Sequence, residues 1–387
     1  MGYTFVNLPF AEPASENRVC TPVTDASFAS IFQGQLFLLK ESGGQIVESP
    51  FGRSLRDRAV DIYNRSLWKT RGVGGQMLAN AARVRQQADP SDFRIDITSV
   101  SRGSVAGELL YTLETDEISG LFSRDSDGFE KRIFHTADFR VRSVDMRPDG
   151  GELAASVHHR NGMANLAVLR ADGSDLTEVT DGDSVDEAPR WAPGAGRRLV
   201  FQSAGMARPG RVRGASLGPC SIQELDLDTS KIRCLAQSEE FDYVCPRIAD
   251  GALYYICKPY AGVPKPVSGW TALQAAAALP FRIVWGIAVF FQLLALHRAG
   301  KSPQELMQTS TPADKAVRAP STWSLMRQPL EGADGAETIA KGVRAFDLAS
   351  DGSLIYSDGI DVYRMGADQG RATKVLSGEG IDFITAL

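Results

Sequence analysis

The chain has 387 residues, and its hydrophobic fraction of 43% and charged fraction of 23% are ordinary for a globular protein. The formal net charge is -5, whereas a nucleic-acid partner calls for a basic face, so we expect no nucleic acid among the partners. Four histidines and five cysteines are few for this length, and no Cys-x-x-Cys spacing indicates a zinc site. We therefore expect neither a metal nor a cofactor.

The start of the chain, residues 1–7, has neither a basic stretch nor a long apolar stretch, so it does not predict a secretory signal. The expected location is the cytoplasm, with the inner face of the membrane as the alternative. Cys220 and Cys234 flank one predicted hairpin, and Cys245 and Cys257 flank another, so each pair could face across its hairpin. Without an export signal, buried free thiols are the expected state.

The elements nearest the amino end are weak copies of a repeat of short strands, over residues 29–49 and 107–128. Residues 52–92 separate these two copies. Within them, residues 53–68 combine apolar and charged side chains at helical spacing, which predicts a helix. A second helical stretch is expected over residues 77–88.

The clearest copy of the repeat begins at Val141 and ends near Val179. Its apolar positions alternate, as in strands that bury one face. The turns at residues 148–150 (Pro-Asp-Gly) and 171–173 (Ala-Asp-Gly) supply residues that tolerate a left-handed backbone. The pattern is strand, tight turn, strand, loop, strand, turn, strand, which predicts one four-stranded blade.

Further copies begin at Glu187, Cys245 and Ala345. Six copies at a spacing of roughly 40 residues are typical of a propeller. The sequence therefore predicts an all-β, six-bladed β-propeller that occupies residues 1–387 as a single domain, with helical insertions in the first and fifth blades. A strand near residues 3–8 is expected to close the ring by pairing near the last blade.

These units resemble the TolB-like propeller repeat, a bacterial WD-repeat-like family whose mark is a Pro-Asp-Gly turn between two strands, followed by an Asp-Gly hairpin. Residues 141–205 match this pattern closely, residues 345–376 match it well, and residues 25–135 match it loosely, with Pro148 the only intact proline of the turn. The resemblance covers about two thirds of the chain by inspection of the repeat. It implies the fold much more firmly than any activity.

Residues 259–321 interrupt the fifth blade and contain the most apolar stretch of the chain, residues 279–296. Apolar side chains lie all around this predicted helix, so a single buried face cannot account for it. Three interpretations stay open: a helix packed on the propeller, a membrane-embedded element, or a helix that binds a partner. The candidate contact residues for a partner or a membrane are Phe281, Trp285, Phe290, Phe291 and Leu294.

The catalytic motifs that occur do not fit their structural context. Residues 214–218 match the Gly-x-Ser-x-Gly nucleophile elbow, but an alternating strand follows them where a helix is required. His158 and His159 are adjacent in a predicted strand, so they point to opposite faces and cannot bind one metal together. We therefore expect a protein that is not an enzyme.

Asp186, Glu187 and Arg190 are the candidate site for a ligand or an ion at the mouth of the propeller. They lie in or next to an acidic stretch, residues 181–187, that is expected to be a loop between blades. The resemblance to the TolB-like repeat implies that an acidic residue just before the Pro-x-Trp strand lines the inner mouth of the propeller. The spacing of the carboxylates does not match a dedicated calcium loop.

The function that these patterns favour is a non-catalytic scaffold that binds an unidentified protein, with the insertion at residues 259–321 as its docking or peripheral membrane element. A different class remains open, namely a propeller enzyme or a binder of small ligands or ions that uses the central mouth. A third hypothesis is an envelope component like TolB itself.

Overall fold

The computed structural model describes residues 28–40, 43–70, 93–105, 107–207, 216–261, 318–331, 335–366, 370–377 and 381–387. Strands make up most of these residues, in agreement with the predicted all-β class. The chain divides into two units, one made of Met1–Tyr260 with Arg318–Leu387 and the other of Ala261–Val317. All strands and the helix described below belong to the first unit.

The described strands form six antiparallel groups of four, each made of an inner strand followed outward by three others. In the first three groups, from the inner strand outward, the strands are β25 (Phe383–Ala386), β1 (Phe28–Phe32), β2 (Gln35–Lys40) and β3 (Gly43–Val47); β4 (Asp96–Arg102), β5 (Leu109–Glu114), β6 (Ser119–Arg124) and β7 (Glu130–Thr136); and β8 (Arg140–Met146), β9 (Glu152–His158), β10 (Ala164–Arg170) and β11 (Thr177–Glu178).

The other three groups follow the same plan. They contain β12 (Ser184–Trp191), β13 (Arg198–Ala207), β15 (Ser221–Asp226) and β16 (Lys231–Ala236); β17 (Phe241–Ala249), β18 (Ala252–Pro259), β19 (Ser324–Pro329) and β20 (Glu337–Lys341); and β21 (Ala345–Leu348), β22 (Leu354–Ser357), β23 (Asp361–Met365) and β24 (Thr373–Ser377). The short strand β14 (Ser216–Leu217) pairs in antiparallel register with the end of β13. One parallel pair, between β10 and β12, joins the third and fourth groups.

The turns predicted in the clearest repeat are present. The backbone at Gly150 has a φ of 74° and that at Gly173 a φ of 86°, a region that glycine adopts without steric penalty. The amide of each glycine donates a hydrogen bond of 2.8 Å to the carbonyl three residues earlier, at Arg147 and Arg170. These tight turns set the register of the β8–β9 and β10–β11 pairs.

The six inner strands stand side by side in a closed ring, in the order β25, β4, β8, β12, β17, β21. Apolar cores lie between neighbouring groups, and one of them brings together Leu121 of β6, Val144 of β8 and Leu153 of β9. This arrangement is a β-propeller, and the predicted all-β propeller class is confirmed.

The ring is closed by the strand nearest the carboxyl end. β25 pairs with β1 in antiparallel register, with Ala386 opposite Phe28 and Phe383 opposite Ile31. β25 therefore supplies the inner strand of the first group, whose other strands come from the opposite end of the chain. The predicted closing strand at residues 3–8 lies outside the described residues.

The helix α1 (Pro50–Thr70) lies between the first group and the second in the chain, and it begins two residues before the expected insertion at residues 52–92. Its first turn is seated on the second group. The Phe51 ring packs on Phe122 with 5.0 Å between centroids, and the Phe51 amide donates a hydrogen bond of 2.9 Å to Glu130 Oε1. The second predicted helical stretch, residues 77–88, lies outside the described residues.

The interruption in the fifth group occurs where the repeat breaks in the sequence, because β18 ends at Pro259 and β19 begins at Ser324. Residues 262–317 lie outside the described residues, and so do the candidate contact residues Phe281, Trp285, Phe290, Phe291 and Leu294. Within the described ranges, no helix is both long enough and apolar enough to span a bilayer.

The four described cysteines are free thiols. Register explains why the first candidate pair does not meet, since Cys234 lies opposite Gln223 in the β15–β16 hairpin. In the β17–β18 hairpin, Cys257 lies opposite Tyr243, and Cys245 falls in a bulge. Cys234 is exposed and the other three are partly buried, so the expectation of buried thiols is wrong for Cys234.

Candidate functional site

Six polar side chains, one from each inner strand, form a ring at one level of the central channel of the propeller. Each comes from near the carboxyl end of a different inner strand, as the strand registers show. We call this set the channel ring: Ser101, Asp145, Arg190, Arg247, Asp347 and Thr385.

Charges in the channel ring are paired. Arg190 Nη1 lies 2.8 Å from Asp145 Oδ1, and Arg247 Nε lies 2.6 Å from Asp347 Oδ1. The Thr385 hydroxyl donates a hydrogen bond of 2.8 Å to Asp347 Oδ2. Because a buried charge is tolerated only with an opposite partner, the two arginines and two aspartates neutralise one another inside the channel.

The two carboxylates also join neighbouring inner strands through the backbone. Asp145 Oδ2 accepts a hydrogen bond of 2.9 Å from the Trp191 amide, and Asp347 Oδ2 accepts one of 3.0 Å from the Ala386 amide. Burial raises the pKa of Asp145 and Asp347, and in both the Arg190 charge opposes that shift. Through these hydrogen bonds, the channel ring links β8 with β12 and β21 with β25.

Arg190 reaches across the channel. Its guanidinium carbon lies 5.8 Å from the centroid of Phe383, on an inner strand three places away around the ring of six. The Arg190 side chain is only 7% exposed, and its Nε is buried with no hydrogen-bond partner among the described residues. Arg190 and Phe383 thus fill the channel at this level.

A second group of charged side chains lies at the face where the inner strands begin, which we call the entry face. The mouth cluster comprises Glu114, Arg142, His158 and Glu187. Arg142 donates two hydrogen bonds to Glu114, of 3.0 Å to Oε2 and 3.2 Å to Oε1. Glu187 accepts a hydrogen bond of 3.1 Å from Gln202 Nε2, and its Oε1 lies 3.3 Å from His158 Nε2.

The structure places the three residues predicted at the mouth at different depths. Glu187 is the one at the entry face, with a side chain 35% exposed. Asp186 is buried and accepts a hydrogen bond of 2.7 Å from the Ser203 hydroxyl, whereas Arg190 belongs to the channel ring. The predicted acidic loop is also shorter than expected, because β12 begins at Ser184.

A bulge in β12 explains this arrangement. The register shifts between Glu187 and Arg190, and Ala188 has a φ of 50°. Because a bulge inserts one extra residue, it moves Arg190 onto the sheet face that carries Glu187 and away from the face of Asp186. The alternation of an ideal strand would have placed Asp186 and Arg190 together.

His158 has neighbours that superficially suggest catalysis. Its Nε2 lies 3.0 Å from Ser156 Oγ as well as 3.3 Å from Glu187 Oε1. A catalytic serine–histidine–acid arrangement needs the two partners on different ring nitrogens. Here both use Nε2, and Ser156 is fully buried, with its hydroxyl 3.2 Å from the Asp186 carbonyl. This geometry differs from that of a nucleophilic site.

Burial lowers the pKa of His158 from its ordinary 6.5, while Glu187 opposes the shift. A lowered pKa means that the unfolded chain binds a proton more readily than the folded protein, so stability is lost as the pH falls below 6.5. We expect urea unfolding to show this loss, and the His158→Gln variant to show less of it. An unchanged pH dependence in that variant would contradict the assignment.

Other histidine and acidic side chains are dispersed. His159 Nε2 lies 3.1 Å from Glu178 Oε2 at the outer edge of the third group, away from His158 as the strand alternation predicts. Among the residues that the structure describes, no cluster of three or more His, Cys, Asp or Glu is arranged to hold a metal ion.

Asp145, Arg247 and Asp347 were not among the residues predicted from the sequence. A signal was present for two of them, because Asp145 and Asp347 each precede by four positions the aspartate of an Asp-Gly turn. Aligning the copies on that turn would have placed both side chains at the same level of the channel. Which residues pair across the channel depends on the closed ring, and the repeat alone does not contain that information.

Comparison with solved structures identifies proteins of similar fold. TolB from Acinetobacter baumannii superposes with a TM-score of 0.52 at 11% identity, and the match covers 93% of this chain and 66% of that one. A putative TolB from Agrobacterium tumefaciens gives a TM-score of 0.44 at 13% identity, covering 75% of this chain and 88% of that one. Puromycin hydrolase gives 0.43 at 15% identity, covering 72% of this chain and 38% of that one.

No protein-family model matches the chain, and no curated protein matches it. At 11% identity the likeness to TolB concerns the fold alone, which is a TolB-like β-propeller, and the chain spans slightly less than two thirds of the length of that protein. The resemblance found in the repeat is thereby confirmed at the level of the fold.

Proposed function

We propose that the chain is a non-catalytic scaffold that binds a protein partner at its entry face. The observation that carries this proposal is the channel ring, in which Arg190 spans the channel to Phe383 and the four charges neutralise one another. Propeller sites that perform chemistry need convergent polar groups that are accessible and uncommitted. Here Arg190 and Asp347 are buried, Asp145 and Arg247 are partly buried, and all four are engaged with each other, which favours recognition on the surface.

The entry face offers suitable chemistry for a partner. Glu187 is one-third exposed, and the mouth cluster carries two carboxylates against one guanidinium and one histidine of lowered pKa. A partner that brings a lysine or arginine to Glu187 would replace its contact with His158 by a charge-assisted hydrogen bond. The chain also leaves the fifth group after Pro259 and re-enters it at Ser324 on this face, since Pro259 lies opposite Phe241 at the start of β17.

The location that we propose is the cytoplasm, and the four free thiols support a reducing compartment. Contact with a membrane, through the apolar stretch at residues 279–296, is the competing outcome of the experiment below.

Site-specific photocrosslinking in cells tests the proposal. Crosslinkers at Asp116 and Arg160, in exposed turns of the entry face, are expected to give discrete protein adducts. A crosslinker at Asp149, in an exposed turn of the opposite face, is expected to give none. Replacing residues 262–317 by a short Gly-Ser linker should weaken the adducts if that segment takes part in docking.

A matched pair of variants provides the control. Glu187→Gln should reduce the adducts, whereas Glu178→Gln should leave them unchanged. Both carboxylates are about one-third exposed and lie 3.1 to 3.3 Å from a histidine, but Glu178 is on an outer strand. Equal adducts from both faces, or lipid adducts in place of protein adducts at the entry face, would refute the proposal.

A further inference from the structure

The entry face carries an exposed apolar patch at the boundary between the fourth and fifth groups of strands. We call it the entry-face patch, and it consists of Leu217, Phe241, Pro259 and Tyr260. Leu217 is 44% exposed, Phe241 is 36% exposed, and Pro259 is exposed as well. A contiguous exposed apolar patch on a globular protein is a sign of an interaction site.

Backbone contacts bring these four residues together. The Tyr260 hydroxyl donates a hydrogen bond to the Leu217 carbonyl, and the Tyr260 amide donates one of 2.9 Å to the Glu240 carbonyl. Pro259 lies opposite Phe241 in the β17–β18 hairpin. The patch is therefore formed before any partner arrives, and a partner that binds it does not have to order it first.

Two free carboxylates border the entry-face patch. Ser238 Oγ accepts hydrogen bonds of 3.2 Å from the amides of Glu240 and Phe241, which fixes the turn before β17. The side chains of Glu239 and Glu240 are exposed in this turn. Neither glutamate forms an ion pair within the part of the chain that the structure describes. Both carboxylates are thus available to a cation beside an apolar surface.

One cation of the chain lies near this border, and a third carboxylate offsets it. Lys258 is opposite Asp242 in the β17–β18 hairpin, and its Nζ lies 5.4 Å from the centroid of the Trp323 ring. Asp242 Oδ1 accepts a hydrogen bond of 2.9 Å from the Cys220 amide, which fixes this carboxylate beside the patch. The described charges around the patch are therefore negative on balance.

The entry-face patch is linked to the mouth cluster through Gln202. Gln202 Nε2 donates to Glu187, and Gln202 Oε1 accepts a hydrogen bond of 2.9 Å from the Cys245 amide. Cys245 lies on β17, the strand that begins with Phe241. The exposed carboxylate of Glu187 and the patch therefore lie on the same face and are connected through one side chain.

We propose that the partner presents a basic segment with an apolar side chain to this surface. The apolar side chain packs on the entry-face patch, and flanking lysine or arginine side chains pair with Glu239, Glu240 and Glu187. This inference rests on the proposed function and names the chemistry of the partner. Apolar contact at the centre of an interface supplies affinity, and charges at its rim steer the encounter and select the partner.

The negative border decides between the candidate occupants. A two-fold contact with a second copy would bring the same glutamates of both copies together, because such contacts use one patch on both subunits. The cytoplasmic surface of a membrane is itself negative, so the border would repel it. A basic protein segment gains from the apolar patch and from its border alike.

Photocrosslinking in cells locates the contact. A crosslinker at Gln237, exposed in the turn before β17, is expected to give adducts with the partner. Their mapped contact should fall in a partner segment where an apolar residue is flanked by lysine or arginine. A crosslinker at Thr229, in an exposed turn at the opposite face of the fourth group, is expected to give none.

Matched charge variants test the border. Glu239→Gln combined with Glu240→Gln should lower the adduct yield from Gln237 by about fivefold, the loss of two exposed ion pairs. Glu117→Gln combined with Asp138→Asn removes two exposed carboxylates elsewhere on the entry face and should leave the yield unchanged.

A second matched pair tests the apolar contact. Phe241→Ser should lower the yield by about tenfold, as for an anchor residue of an interface. Phe129→Ser removes a more exposed phenylalanine, at 71%, from the opposite face and should have no effect. The glutamine variants change only exposed side chains, so they test the inference even if Phe241→Ser unfolds the protein.

The inference is overturned if the Gln237 adducts survive the glutamine variants, or if the mapped partner segment is acidic. It is also overturned if Gln237 crosslinks only to lipid, to a second copy or within its own chain. Adducts from Asp116 and Arg160 alongside any of these results would leave the proposed function standing. The absence of adducts at all three positions would remove both.

Discussion

Replacing Arg190 with methionine is expected to lower the free energy of unfolding by about 3–5 kcal/mol, the range measured when one partner of a buried ion pair is removed. The variant leaves the Asp145 carboxylate in the channel without the guanidinium that lies 2.8 Å from it. It also withdraws the charge that opposes the raised pKa of Asp347. Urea unfolding followed by circular dichroism measures the loss.

Two comparisons show whether the loss comes from the buried charge. Arg170→Met breaks an ion pair with Asp175 of the same 2.8 Å length, but both side chains are about two-thirds exposed, so the expected change is about 0–1 kcal/mol. The double variant Arg190→Met with Asp145→Asn should be more stable than Arg190→Met alone, since no unpaired charge remains. If all three variants unfold alike, the channel ring does not contribute through its charges.

Removing residues 381–387 is expected to abolish the cooperative unfolding transition. These residues contain β25, which supplies the inner strand of the first group and buries Ile384 and Ala386. Without it, β1 has an unpaired edge inside the ring, and Asp347 loses both its bonds to Thr385 and to the Ala386 amide. Exposed strand edges of this kind also promote aggregation, so the truncated chain should appear in the insoluble fraction.

A rearranged chain makes this prediction specific to closure. Because Ala386 lies opposite Phe28 at the end of an antiparallel pair, residues 381–387 can be joined by a Gly-Gly turn ahead of residue 28. A chain that runs from 381 to 387 and then from 28 to 380 should recover a cooperative transition, while the chain of residues 28–380 should not. If the chain of residues 28–380 folds as well as the rearranged one, β25 is dispensable.

The repeat was predictable because its turns carry local information. Residues 148–150 and 171–173 specify tight turns by composition alone, and the flanking alternation then fixes which side chains face inward. These short-range signals were sufficient for the propeller class. They also located the interruption between β18 and β19, since the pattern stops and resumes on either side of it.

Closure and the site were much less predictable. β25 is a four-residue strand, Phe383–Ala386, and no local pattern states that its partner is a strand at the other end of the chain. For the mouth, the resemblance implied an acidic residue before the Pro-x-Trp strand, and Glu187 lies at the entry face. The bulge after it could not be foreseen, because nothing in the sequence around Ala188 requires a backbone with positive φ.

Closure by β25 also bears on how the protein is made. β25 leaves the ribosome after every other described strand, so the first group has only three strands while the rest of the chain is synthesised. The carbonyl of Ala386 and the Arg102 side chain that binds it are 284 positions apart in the chain. Because domains begin to fold during synthesis, at about 5–20 residues per second, the other groups have time to form first. Throughout that interval, the edge of β1 that later pairs with β25 is unpaired and can bind any extended segment nearby. A chaperone that covers this edge would therefore raise the yield of closed protein.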